Sequence, residues 1–191
     1  MTIIRNGRPQ RADAQRNRAC LLAVASTALT EDDEVPLETI AERAGVGIGT
    51  LYRNFPHRNA LIEAAYRHEV EALCDAAPEL LRAGRPAVDA LREWMSRFVH
   101  YAATKRGMSA ALRAAVGSDS PLFGETRARI IGALAVLLDA GRSDGSVRTD
   151  VDAEDILRAM GAVWLVPDGD EWDPQVRRLL DLLVDGLRYG A

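Results

Sequence analysis

From about residue 12 to about residue 188, apolar residues recur at spacings of three and four. No stretch alternates apolar and polar residues between turn signals. This periodicity constrains the fold more than any other feature, because helices must pack on helices and a sheet has no strands to build from. The chain is therefore expected to be all-α. With 191 residues it has room for one domain, or a small one beside a larger one. Its 48% hydrophobic and 27% charged residues are ordinary globular values and exclude disorder as the main state. No period of 20–50 residues recurs, which argues against a solenoid.

Turn residues divide the pattern into helices. The first is expected at about 12–30, ended by the acids Glu31–Glu34 and by Pro36. Short helices follow at about 37–44 and 48–54, separated by Gly45-Val46-Gly47, and a long one at about 58–82 is closed by Gly84 and Pro86. The next, 86–104, carries the stripe Val88, Leu91, Met95, Phe98 and Ala102. A helix at 107–116 stops at Gly117, and another runs from Ser120 to Gly141. Asp152 is a good N-cap for a helix to about 165, and a polar loop at 167–173 leads into the last helix, about 174–188.

Charge separates two ends. The net charge is −4, yet residues 1–68 hold 9 Arg against 8 acids, while 69–191 hold 15 basic against 20 acidic residues. Arg5, Arg8, Arg11, Arg16 and Arg18 against Asp13 make a basic front, with 1–11 expected as a flexible arm. All but one of the 24 basic residues are Arg, which reflects codon usage more than chemistry. Cys20 and Cys74 form no disulfide framework, and each reads as a buried thiol. His57, His68 and His100 are too far apart for a metal pair, and Asp168, Asp170, Glu171 and Asp173 lack calcium-loop spacing. No nucleophile–base set or phosphate loop can be assembled, so neither an enzyme nor a cofactor or metal is expected. Neither a signal peptide nor a membrane-length apolar run is found, so a soluble, cytoplasmic protein is expected.

The most specific stretch is 36–64. Ile40, Ala41 and Ala44 give a short helix a small apolar face, Gly45 supplies a left-handed turn, and Leu51 and Phe55 turn a second short helix inward. Two short helices around such a turn make a helix-turn-helix, whose second helix offers a narrow, small-residued face to a major groove.

The residues Ile40-Ala41-x-x-Ala44-Gly45-Val46-x-x-Gly49-Thr50-Leu51-Tyr52-x-x-Phe55, then Arg58-x-Ala60-Leu61, resemble the DNA-binding signature of TetR/AcrR-type transcriptional regulators. Tyr101–Gly107, Gly117–Ser120 and Asp150–Asp155 resemble one C-terminal subgroup. The chain departs from the pattern at Pro36, Gly47 and Asn54, where hydroxyl or ring side chains are usual. The resemblance implies a ligand-responsive regulator, a repressor acting as a homodimer on palindromic double-stranded operator DNA. It also implies a three-helix head at 12–57 and a ligand-binding and dimerisation bundle at 58–191. The rival reading is an all-helical small-molecule carrier or small enzyme that has lost DNA binding.

Residue by residue, Thr39, Gly47, Thr50, Tyr52, Asn54 and Arg58 are expected at phosphates or the groove rim. Ile48, Gly49, Thr50 and Arg53 are expected at base edges. Ile48 has two open readings, either meeting a thymine methyl or being buried with Leu51 and Phe55. An apolar or aromatic effector is expected among Trp94, Phe98, Tyr101, Leu112, Leu134 and Trp164, with Arg97 and His100 as polar partners. The dimer is expected through Leu179, Leu182, Leu183 and Leu187, with Ala159 and Gly161 permitting close approach.

Overall fold

The computed structural model describes residues 7–188, with side chains from residue 16 onward. The helices are α1 (Gly7–Glu31), α2 (Leu37–Arg43), α3 (Ile48–Asn54), α4 (Arg58–Arg82), α5 (Ala87–Gly107), α6 (Ser109–Val116), α7 (Pro121–Ser143), α8 (Ala153–Met160) and α9 (Trp172–Arg188). A 3-10 turn covers Gly161–Leu165, and no strand occurs among the described residues. Of the arm expected at 1–11, residues 1–6 lie outside the described residues and 7–11 belong to α1.

Packing divides the chain into two units. One comprises residues up to 68 with 107–118; the other comprises 69–106 with the residues from 119 on. The boundary expected at 57/58 therefore falls eleven residues later, inside α4, and α6 belongs to the first unit. Leu61, Ile62, Ala65 and Tyr66, all buried, belong to the first unit.

Two helix ends are shaped by local contacts. The helix begun by Asp152 is closed into a capping box, Asp155 N–H donating to Asp152 Oδ1 at 2.9 Å; its α form runs to Met160 and tightens into the 3-10 turn that ends at Leu165. Pro167 has no N–H to give the Val163 carbonyl, and it holds Val166 extended at φ −70°, ψ 124°. The Arg106 guanidinium takes over, its Nη2 donating to the carbonyls of Val163 at 3.2 Å and Val166 at 3.0 Å. Its Nη1 pairs with Asp168, and the guanidinium lies 5.2 Å over the Trp172 ring.

Gly141 does not end α7, which runs on to Ser143; the left-handed residue of that turn is Gly145, at φ +75°. Gly141 is instead a packing position. A Cβ there would lie 2.4 Å from Val147 Cγ2 and 2.9 Å from Val147 Cβ. The same turn serves a second helix, since Asp144 Oδ2 accepts from Ala87 N–H at 3.0 Å and so caps α5. Ser146 and, after it, the Ala87 N–H hold the Asp144 carboxyl below its ordinary range.

Gly141→Ala is expected to cost about 1–3 kcal/mol through overpacking against a stiff valine. Gly132→Ala, on the same helix with open space around it, should be neutral or stabilise by up to ~1 kcal/mol. Urea unfolding of the two variants checks the contrast.

Candidate nucleic-acid interface and effector cavity

In the first unit, α2 ends in two interlocked turns. Gly45 N–H donates to Glu42 O at 3.0 Å and Val46 N–H to Ala41 O at 2.9 Å, with Gly45 at φ +66°. Gly47 then stands extended as the N-cap of α3. Leu51 is 0% exposed and Phe55 is buried, with the Arg18 guanidinium 4.9 Å over the Phe55 ring.

With Leu51 and Phe55 buried, the rest of α3 is open to solvent. Ile48 is 37% and Tyr52 45% exposed, and Gly47, Gly49, Arg53 and Asn54 are exposed beside them. Ile48 thus lies outside the core formed by Leu51 and Phe55. Thr50 is half-buried and organises its neighbours: Arg53 Nη2 donates to its hydroxyl at 2.9 Å, and Asn54 Nδ2 donates to its carbonyl at 2.8 Å. Thr39 is half-buried on α2.

Arg58 is placed differently from the expectation of a phosphate contact. Its Nη1 donates to Val35 O at 2.5 Å and its Nη2 to Asp33 O at 2.6 Å. Both ends of the guanidinium fork hold the α1–α2 connection, whose carbonyls have no helix to satisfy them. Sequence reasoning also missed His57, whose Nδ1 accepts from Ala60 N–H at 3.1 Å at the start of α4.

In the second unit, a cavity of about 260 Å³ is lined by Phe98 and Tyr101 of α5, Phe123, Thr126 and Ile130 of α7, Leu157 of α8 and Trp164. Two cations, Lys105 and Arg127, complete the lining. Three of the six expected effector residues, Phe98, Tyr101 and Trp164, are thus brought together. The other three are elsewhere. Trp94 is fully buried, its Nε1 donating to Leu73 O at 2.8 Å and its ring stacked 6.1 Å from Phe98. Leu134 is core, one turn beyond Ile130, and Leu112 is buried in the first unit. Arg97 and His100 line a separate groove of about 300 Å³ with Glu69, Ser96 and Tyr101.

Of the expected dimer residues, Leu187 is buried in its own subunit, because it continues the inward stripe Trp172, Val176, Leu180 and Val184. Leu182 is 70% exposed, Leu179 and Leu183 are half-buried, and Ala159 is exposed. Leu165 adds a further apolar side chain, 84% exposed, and Gly161 and Gly186 have open space around them. Cys20 is exposed and Cys74 half-buried, so neither is the core thiol expected. Burial nonetheless raises the Cys74 pKa.

Residues 33–65 match the family described as bacterial regulatory proteins of the tetR family, and residues 85–189 match the C-terminal domain of SbtR-like transcriptional regulators. The chain is 47% identical to the TetR transcriptional regulator SCO0520 from Streptomyces coelicolor, with a TM-score of 0.84 over 91% of this chain and 99% of that one. It is 36% identical to a TetR regulatory protein from Mycobacterium vanbaalenii, with a TM-score of 0.75 over 94% and 99% of the two chains. The HTH-type transcriptional regulator SAR0097 of Staphylococcus aureus (strain MRSA252) is 31% identical over 72 residues, 36% of this chain and 38% of that protein.

Arg58→Ala is expected to lower the unfolding free energy by about 1–3 kcal/mol, since two carbonyls lose a charged donor. Thermal unfolding without DNA checks it, and an unaltered melting temperature would return Arg58 to a role at phosphates.

Proposed function

Because the chain belongs to the TetR family of bacterial transcriptional regulators, we propose that it is a ligand-responsive repressor binding a near-palindromic operator as a homodimer. The observation that carries the reading is the outer face of α3. Gly49, Tyr52 and Arg53 share it with Ile48 at its edge, while the buried Leu51 and Phe55 fix its orientation. That face has the chemistry for base edges: methyls for thymine, a backbone bare of side chain at Gly49, and a guanidinium for guanine. Tyr52 and Asn54 supply polar contacts at the groove rim.

One seven-residue helix spans too few base pairs to be specific, so two copies must read half-sites about 35 Å apart. The exposed Leu182 and Leu165, beside the side-chain-free Gly161 and Gly186, support a subunit interface on the C-terminal segments. The cavity around Phe98, Tyr101 and Trp164 is the effector site of this reading, and an effector acts by favouring a form of the dimer that no longer fits the operator. Among the described residues no helix is long and apolar enough to cross a membrane, and the protein works in the cytoplasm, where its DNA is. The comparisons do not favour a carrier or enzyme that has lost DNA binding.

Fluorescence anisotropy on the DNA flanking the chain's own gene tests the reading. Binding should tighten on one palindromic segment and weaken steeply with salt. Ile48→Ala is expected to relax preference at one operator base pair by ~1 kcal/mol or more, with thermal stability retained. Leu182→Glu should yield monomers on sedimentation and lose the operator. Retained dimers would move the interface elsewhere, and an absence of duplex binding at low salt would reject the reading.

A further inference from the structure

We propose that the effector is a small amphipathic anion, with an aromatic or short aliphatic body in the cavity of the second unit and a carboxylate paired with Lys105. The proposal deepens the effector-site reading above and rests on it. It starts from an imbalance of charge. Residues 69–191 carry 20 acids against 15 basic residues, yet the cavity lining contains two cations and no carboxylate.

The two cations are not equivalent. Arg127 Nη2 already pairs with Glu154 Oε1 at 2.9 Å, on a carboxylate that also holds Arg158. Lys105 has no such counter-ion among the described residues. Its Nζ lies 5.1 Å from the centroid of the Trp164 ring and 6.0 Å from that of Phe123. Ring faces attract an ammonium electrostatically but accept none of its three N–H groups as an oxygen would. The charge is held in place and left unneutralised.

Residue type points the same way. Lys105 is the one lysine beside 23 arginines. An ammonium is a compact point charge that fits against two ring faces, whereas the planar guanidinium fork stacks on one. Behind it, Phe98, Tyr101, Ile130 and Leu157 supply apolar wall, and the buried Thr126 adds one hydroxyl. At about 260 Å³ the cavity is at the small end for ligand sites, which limits the body to one ring or a short chain. An amine would be repelled by Lys105, and a neutral alcohol would leave its charge unmatched.

The test is isothermal titration of the full-length protein with two matched series: 3-phenylpropanoate, 3-phenylpropan-1-ol and 3-phenylpropylamine, then octanoate, octan-1-ol and octylamine. At least one acid should bind roughly tenfold or more tighter than its alcohol, the effect of one charge-assisted hydrogen bond in a partly dry site, and the amines should bind weakest. Lys105→Met should bring the acid down to the level of its alcohol, while Lys105→Arg, which keeps the charge, should retain a preference for the acid. Melting curves of both variants report whether they fold. Alcohols or amines binding as well as acids, no acid binding at all, or an acid preference surviving in folded Lys105→Met would each overturn the proposal. Operator binding by the unliganded protein, measured in parallel, separates the outcomes: acids failing while the operator is still bound rejects the ligand class alone.

Discussion

A seven-residue helix cannot hold itself together in water, since so short a segment barely repays the cost of its first turn. The α3 helix exists because Leu51 and Phe55, four residues apart on one face, are both buried. Everything proposed about DNA depends on that pair of side chains. With two adjacent turns anchored, Gly49, Tyr52 and Arg53 turn outward, and Ile48, at the edge of the buried stripe in the first turn, is left 37% exposed. The turn before it enforces the angle of entry. The paired bonds from Gly45 and Val46 back to α2 consume the last carbonyls of that helix and require the positive φ that glycine adopts without strain.

The second unit solves a different problem with the same economy. A chain with 5% aromatic residues concentrates Trp94, Phe98 and Tyr101 along one helix. Trp94 and Phe98 are stacked and Phe98 and Tyr101 tilted, at centroid distances of 6.1 and 5.7 Å. Trp94 is committed to the core through its bond to the Leu73 carbonyl, next to the Cys74 carbonyl that Pro78 cannot serve. The aromatic edge nearest the C-terminal end of α5 then lines the cavity. There two neighbouring cations divide the work. Arg106 fixes the backbone of the segment carrying Trp164, and Lys105 lies against the Trp164 ring.

Helix identity and the helix-turn-helix were legible because both are written in local pattern. Periodicity, Pro36 and Gly45 are enough to locate α2 and α3, and Asp152 marks its own capping box. What sequence could not supply was the partner of a long side chain. Arg58 begins a helix, which suggests an anion, but its fork finds carbonyls 23 and 25 residues earlier in the chain. Gly141 reads as a stop and is instead a contact surface for Val147, a distinction invisible without the neighbour. Leu182 and Leu187 look alike on the last helix, and only packing separates the exposed one from the buried one. Lys105 did carry a signal, as the single departure from arginine four residues after Tyr101, but its meaning depends on rings from two other segments.

Net charge is the feature most easily misread. A chain at −4 looks like a poor ligand for a polyanion, yet formal charge counts groups that are already spent. In the first unit Glu31 is paired with Arg43 and Glu63 with Arg67, so these acids and bases cancel where they stand. The Arg58 charge is turned towards backbone carbonyls. Arg53 differs in kind, because its partner is the Thr50 hydroxyl, which orients a guanidinium without neutralising it. The field that a phosphate meets at α3 is set by this one uncommitted cation more than by the sum over the chain. The same arithmetic applies to the cavity of the second unit. There an acidic unit holds a cavity lined by two cations and no carboxylate: of the two, Glu154 reaches only Arg127, leaving Lys105 against its rings, while Asp181 and Asp185 pair with Arg92 and Asp173 with Arg177. In both units, the proposed sites lie where the fold leaves a cation without a carboxylate partner.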